Sequence, residues 1–134
     1  MTQDQHHTTA GWTIDQWLAA YRDQGLAPRA ALQSLRAQLN SDDAAWIYIV
    51  SAAELDRQID ALAHLGDSAS LPLFGVPFAV KDNIDVAGIP TTAACPAFTY
   101  IPDTDATSVA RLKQAGAIVL GKTNVPFYAM DLQS

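Results

Sequence analysis

Cysteine is almost absent from this sequence, because Cys95 is the only one in 134 residues. A single thiol cannot close an internal disulfide, and no group of Cys and His residues has the spacing of a metal site. His6 and His7 are adjacent in the stretch 1–10, which is predicted to be a disordered tail, and His64 lies near a predicted helix end. We therefore predict neither a disulfide-bonded scaffold nor a bound metal.

Basic residues and long apolar runs are also scarce. Eight Lys and Arg stand against 14 Asp and Glu, for a net charge of −6, and the basic residues are scattered, whereas nucleic-acid phosphates need them clustered. No apolar run approaches the roughly 18 residues that span a bilayer. The first ten residues lack the basic and apolar regions of a signal peptide. These absences predict no nucleic-acid partner, no membrane partner and a cytoplasmic location.

Hydrophobic residues are plentiful, at 49% against 16% charged, which is typical of a globular protein with a real core. Thr13 and Gln16 have the spacing of a capping box and predict a helix that ends near Gly25. Pro28 suits the first turn of a second helix. The segment Ser51–Glu54 is another capping box and predicts a third helix.

The region 11–65 is therefore predicted to be mainly helical, with the short stretch 45–50 as a strand or an extended connection. After a solvated linker at 66–70 the sequence changes character. Residues 73–80 are almost wholly apolar, as in a strand that is buried on both faces. Pro77 cannot donate to a sheet ladder, so we expect a sheet edge or a strand start beside it.

A helix followed by a strand is predicted further along the chain. Asp105 is predicted to be the N-cap of a helix that ends at Gly116, and residues 117–120 predict a new buried strand. Strand, crossover helix and strand in this order predict an α/β sheet. Residues 71–134 are thus predicted to be the start of an α/β domain. Its sheet is predicted to be incomplete, because so few apolar strands would leave edges and faces uncovered.

The stretch from Gly116 to Thr123 also matches the G-x-x-x-x-G-K-T pattern of a phosphate-binding loop. That loop needs a strand before the first glycine and a helix that begins at the lysine. Here a predicted helix precedes Gly116, the middle residues are those of a strand, and Val125 before Pro126 favours extended backbone. We therefore reject nucleotide binding.

Lys81 is the most informative chemical position, because it directly follows the apolar residues 78–80. Loss of water at an apolar strand end disfavours a charged ammonium, so a lysine placed there can act as a general base. The other interpretation is a lysine that reaches out of the strand end beside Asp82. From the residues alone, this structural interpretation is the stronger of the two.

Four linked segments change that balance, since their order and spacing resemble the amidase signature family. They are GVPFAVKDN at 75–83, GIPTT at 88–92, DAT at 105–107 and AGAIVLGKTN at 115–124. The resemblance implies an α/β/α fold around a mixed sheet, of which this chain is the N-terminal part with additional N-terminal helices. It also implies hydrolysis of amide bonds by a Ser-cisSer-Lys triad.

In that triad the lysine deprotonates a bridging serine, which relays to the nucleophilic serine while backbone N–H groups hold the oxyanion. Lys81 matches the catalytic lysine, whereas Lys122 matches a family position that is not the base and is interpreted as structural. Both family serines lie beyond Ser134, so this chain alone is predicted to be inactive. The resemblance implies a small-molecule amide substrate and no cofactor, assigns no substrate-binding residue, and leaves a homo-oligomer open.

Within the family, residues 81–98 are most similar to the allophanate hydrolases, whereas the ending 125–134 looks more like other amidases. Three alternatives stay open beside an allophanate hydrolase. One is a generic amidase, and another is an A-type amidotransferase subunit that uses ammonia on a charged tRNA. The third is a non-catalytic remnant or interaction module.

Overall fold

A computed structural model of the chain describes residues 11–39, 45–92, 97 and 99–124. Its helices and strands, in chain order, are α1 (Ile14–Asp23), α2 (Pro28–Gln38), β1 (Trp46–Ile49), α3 (Ala52–Leu65), β2 (Pro77–Lys81), α4 (Thr107–Gln114) and β3 (Ile118–Thr123). The predictions for the tail 1–10, for Cys95 and for 125–134 concern residues outside these ranges. Within them, no helix is both long enough and apolar enough to cross a membrane.

Capping boxes start two of the three N-terminal helices. The Thr13 hydroxyl accepts the N–H of Gln16 at 3.1 Å, and the Gln16 side chain accepts the N–H of Thr13 at 2.7 Å. Ser51 and Glu54 repeat this exchange at the start of α3. Pro28 occupies the first position of α2, where no N–H is needed. All three predicted helices are confirmed.

The N-cap of α4 differs from the prediction. Ala106 is the N-cap, and the Asp105 carboxylate instead accepts the N–H of Ala87 at 2.8 Å and the ammonium of Lys113 at 3.0 Å. The assignment of Asp105 as N-cap is wrong because its carboxylate has partners that tertiary structure brings to it. The predicted end of the helix is confirmed, since Gly116 follows it with φ of +104°.

The three described strands form a mixed sheet in the order β1-β3-β2. Strand β2 runs parallel to β3 and is joined to it through α4, whereas β1 is antiparallel to β3. All six residues of the central strand β3 are buried. Pro77 is the first residue of β2, so the predicted strand start is confirmed. The predicted strand over 73–80 was too long, because residues 73–75 lie in a turn in which the Phe74 N–H donates to the Leu71 carbonyl, and β2 is only partly buried. The predicted mixed α/β sheet is confirmed.

Helices and sheet bury their apolar faces in one common cluster. Its buried members include Leu32, Leu35, Leu55, Ile59, Leu62, Val80, Val109 and Val119. The boundary between a helical region (11–65) and an α/β domain (71–134) stays a prediction. In the structure β1, from the first of these stretches, pairs with β3, from the second.

Gly121 lies at a close approach between two strands. A Cβ at this position would be 2.1 Å from the backbone oxygen of Tyr48 and 2.9 Å from the Trp46 ring. Glycine is therefore required for β1 to pair with β3. Since β3 runs through both Gly121 and Lys122, these residues form a strand and not the loop and helix start of a phosphate-binding loop.

Candidate active site

Lys81 is the last residue of β2, at the carboxyl end of a parallel strand, and its Cα pairs with that of Thr123. Ligands of open α/β sheets bind at this end of the strands. The Lys81 side chain is half-buried. Its carbonyl accepts the N–H of Ile84 at 2.9 Å in a turn. Among the described residues, no hydrogen bond or ion pair engages its ammonium. The structure thus places this lysine at the predicted strand end, half-buried and with its ammonium unengaged by any described residue.

Asp82, the next residue, is buried and is held by all three of its polar groups. Its N–H donates to the Thr123 carbonyl at 2.8 Å, and its carbonyl accepts the ammonium of Lys122 at 2.9 Å. Its carboxylate accepts the N–H of Thr92 at 3.1 Å and also the Thr92 hydroxyl. The backbone directly after Lys81 is therefore fixed by contacts to β3 and to the 91–92 segment.

Lys122 is the largest fully buried side chain in the described part of the molecule. Besides the Asp82 carbonyl, its ammonium contacts the Thr91 hydroxyl at 3.2 Å and the Pro90 carbonyl at 3.4 Å. Burial lowers the pKa of Lys122, and the nearby carboxylates of Asp82 and Asp85 oppose that shift. All three ammonium donors have acceptors, as a buried lysine requires.

Asp85 completes the arrangement on the other side of Thr91. Its carboxylate accepts the Thr91 hydroxyl at 3.0 Å and the Tyr100 hydroxyl at 2.6 Å. Since the Thr91 hydrogen is donated to Asp85, the Thr91 oxygen is left to accept from Lys122. The six residues linked in this way, which we call the strand-end cluster, are Asp82, Asp85, Thr91, Thr92, Tyr100 and Lys122.

Sequence reasoning found Lys81 but missed the strand-end cluster as a unit. It interpreted Lys122 as structural without naming its partners, and it named Thr91 and Thr92 only as part of a family motif. One signal was available: a lysine inside an otherwise apolar strand must find acceptors, and the segments after β2 are rich in Asp and Thr. The pairing itself depends on which loop the sheet brings to the end of β3.

A cavity of about 570 Å³ lies elsewhere on the sheet, between α3, the 86–89 turn and the first half of β3. Its lining includes Gln58, Leu62, Val86, Ile89 and Val119, and neither Lys81 nor Lys122 belongs to it. We therefore place the candidate chemistry at the ends of β2 and β3 and not in this cavity. Nowhere in the described ranges do three His, Cys, Asp or Glu side chains come together as a metal ion would need.

Comparison with known proteins gives a consistent result. The sequence profile of the family described as Amidase matches residues 30–134. The urea amidolyase of Lachancea kluyveri is 45% identical over 129 residues, which cover 92% of this chain and 7% of that relative. The A-type subunit of the glutamyl-tRNA(Gln) amidotransferase of Akkermansia muciniphila is 38% identical over 119 residues, which cover 88% of this chain and 24% of that relative.

A solved structure agrees with these matches. The selenomethionine form of Kluyveromyces lactis allophanate hydrolase superposes with a TM-score of 0.81 at 39% identity, and the match covers 90% of this chain and 20% of that one. The described helices and strands are therefore part of the α/β fold that this enzyme has. The chain spans less than a quarter of the length of each of these three relatives.

Proposed function

We propose, on the premise that this chain belongs to the amidase family, that it carries the general base of a Ser-cisSer-Lys amidase and that this base is Lys81. The observation that carries the proposal is the position of Lys81 at the carboxyl end of β2 with its ammonium unengaged by any described residue. A general base must be within reach of the proton that it accepts. An ammonium without other partners is a condition for that reach, and among the described residues Lys81 meets it.

The other two lysines of the chain meet it less well. The ammonium of Lys122 is fully buried and donates to two carbonyls and a hydroxyl. The ammonium of Lys113 is paired with Asp105 at 3.0 Å. In the proposed mechanism the neutral amine of Lys81 takes the proton of a bridging serine, which in turn deprotonates the nucleophilic serine.

The proposed substrate is allophanate, the N-carboxylate of urea, which hydrolysis converts to ammonia and carbon dioxide. The support for it is the similarity to a urea amidolyase and to an allophanate hydrolase. The reaction needs an activated serine and oxyanion donors and no redox group, so we propose that no cofactor takes part. A small charged substrate of nitrogen assimilation also suits a cytoplasmic location.

We further propose that these 134 residues alone do not turn over amides. Three of the described serines form hydrogen bonds that are all local. Ser34 bonds to Gln38 within one helix, Ser51 caps α3, and Ser70 closes a turn with Asp67. The expected result is no ammonia release from allophanate by the pure chain. Measurable release would overturn this part of the proposal.

The test of the lysine uses a chimera in which this chain replaces the matching segment of Kluyveromyces lactis allophanate hydrolase. We expect the chimera to release ammonia from allophanate, and Lys81→Met to lower kcat by about 10²–10⁴-fold, the usual contribution of a general base. Lys113→Met is the matched control, because it removes the same charge from an ion pair in α4, and it should retain activity. A folded Lys81→Met chimera with full activity would contradict the assignment.

The A-type amidotransferase subunit is the second candidate function, because its representative is 38% identical over 119 residues. The same replacement in the Akkermansia muciniphila protein discriminates between the two. Activity only in the amidotransferase, with none on allophanate in the first chimera, would move the assignment to ammonia transfer.

A further inference from the structure

We infer that Lys122 is a positioning residue for Lys81, because its buried ammonium holds the carbonyl of Asp82 and so fixes the backbone that carries the proposed base. The catalytic meaning of this inference rests on the proposed function. Its geometry rests only on the contacts of Lys122 itself.

The sheet register separates the two lysines. Lys122 on β3 pairs with Val80 on β2, whereas Lys81 pairs with Thr123. Since side chains alternate between the faces of a strand, Lys81 and Lys122 leave the sheet on opposite faces. Lys122 therefore acts on Lys81 through the backbone and not through its side chain.

The backbone link is short. The Lys122 ammonium is 2.9 Å from the carbonyl of Asp82, the residue directly after Lys81. On the Lys81 side, its carbonyl accepts the N–H of Ile84. If the Asp82 carbonyl lost its charged donor, it would be a buried acceptor without that partner, and the peptide group between Asp82 and Asn83 would be free to rotate.

The same ammonium also binds a second segment of the chain. It contacts the Pro90 carbonyl and the Thr91 hydroxyl, and the neighbouring Thr92 holds the Asp82 carboxylate. Lys122 thus joins the end of β2 to the 90–92 segment through its ammonium. The bond between Asp82 and Thr92 joins the same two segments a second time. Two independent attachments leave the strand end few conformations, which is what a catalytic base needs.

The experiment uses the 134-residue chain with Lys122→Met, which keeps an unbranched apolar stem of four heavy atoms and removes the ammonium with its three donors. Amide hydrogen exchange is measured at three positions. The Asp82 N–H donates to Thr123, the Ile84 N–H donates to the Lys81 carbonyl, and Ile59 lies in α3. We expect exchange at Asp82 and Ile84 to accelerate by about tenfold or more beyond any change at Ile59. Val119→Ala, which leaves a cavity beside the same strand, is the control and should change the exchange rates of all three amides by the same factor.

The rate of amine labelling distinguishes a positioning role of Lys122 from a purely structural one. The chain has three lysines, so Lys113 serves as an internal standard for Lys81. In Lys122→Met we expect the ratio of the Lys81 to the Lys113 labelling rate to change, and in Val119→Ala we expect it to stay constant. An unchanged ratio together with uniform exchange in Lys122→Met would overturn the inference.

If Lys122→Met does not fold, Thr91→Val removes one acceptor and leaves the lysine in place. The expected pattern is the same, with a selective acceleration of about threefold at Asp82 and Ile84, and uniform acceleration would overturn the inference. In the active chimera, Lys122→Met should lower kcat while KM stays within about threefold. A chimera without activity would remove the proposed function, whereas the exchange and labelling results would still decide the role of Lys122.

Discussion

The helical layer, formed by α1, α2 and α3, and the strand-end cluster lie in one small fold, but different interactions hold them. In the helical layer, side chains such as Leu32 and Leu55 are wholly buried among apolar neighbours. In the strand-end cluster, Asp82, Thr91 and Lys122 are equally buried, yet each depends on particular donors and acceptors.

This difference matters because substitutions in the two regions reduce stability in different ways. Apolar burial is non-directional and scales with area, so its loss is graded. A buried polar group that loses one partner carries the cost of its desolvation. We therefore expect the cluster to fix a particular geometry and the helical layer to contribute more of the stability.

Leu32→Ala in α2 should lower the free energy of unfolding by about 2–5 kcal/mol, since it leaves a cavity beneath a fully buried side chain. Urea denaturation followed by circular dichroism measures the loss. Ile14→Ala in α1 is the control, because Ile14 is 42% exposed and little apolar area would be lost. Equal losses in the two variants would contradict the view that the helical layer is the main source of stability.

Gly121→Ala tests the contact between the two regions, where β1 from the helical half meets β3. The added Cβ would lie 2.1 Å from the Tyr48 backbone oxygen, so the strands must separate, at a cost of about 1–3 kcal/mol. Gly11→Ala is the comparison, as nothing lies within 4 Å of its Cβ position. A melting temperature that is unchanged in Gly121→Ala would show that β1 can shift without cost.

Asp85→Asn tests the strand-end cluster. The amide oxygen can still accept from Thr91 and Tyr100, but these bonds lose their charge and Lys122 loses a nearby carboxylate. We expect a loss of about 1–2 kcal/mol in urea denaturation, the difference between charged and neutral hydrogen bonds. Asp103→Asn removes the same charge from an exposed site. A loss of the same size in Asp103→Asn would show that the effect comes from the change in net charge and not from the hydrogen bonds of the cluster.

High pH should reveal the smallest effect, at Tyr48 in β1. Burial, and then the hydrogen bond that its hydroxyl donates to Glu54, raise the pKa of Tyr48 to about 12 from the usual 10.0. Between these values the unfolded chain loses the phenol proton and the folded chain keeps it, so stability falls as pH rises from 10 towards 12. Tyr48→Phe should show a shallower decline in urea midpoints measured at pH 9 and 11. Identical declines would mean that Tyr48 does not titrate differently on folding.

The helical layer could be predicted from the sequence almost completely. Its capping boxes and its apolar spacing are local patterns, and the structure confirms the three helices at nearly the predicted bounds. The sheet was predictable in type, because strand, helix and strand follow one another along the chain. The N-cap of α4 was not, since the Asp105 carboxylate is used by Ala87 and Lys113, eighteen and eight residues away.

The site was predictable only in part. Lys81 could be singled out because an apolar strand leads directly into it and because the linked motifs around it resemble a family. Its role as the base stays a prediction. The strand-end cluster could not be assembled beforehand, because the partners of Lys122 come from residues 31 to 40 positions earlier in the chain.

Local periodicity and short motifs encode the helices, the β2–α4–β3 unit and the family to which the chain belongs. That Lys122 is fully buried and Lys81 half-buried depends on how the strands pair. The two lysines are offset by one residue in the register of β2 and β3, so their side chains leave the sheet on opposite faces. The 90–91 segment then supplies two of the acceptors of Lys122, whereas no described residue accepts from Lys81.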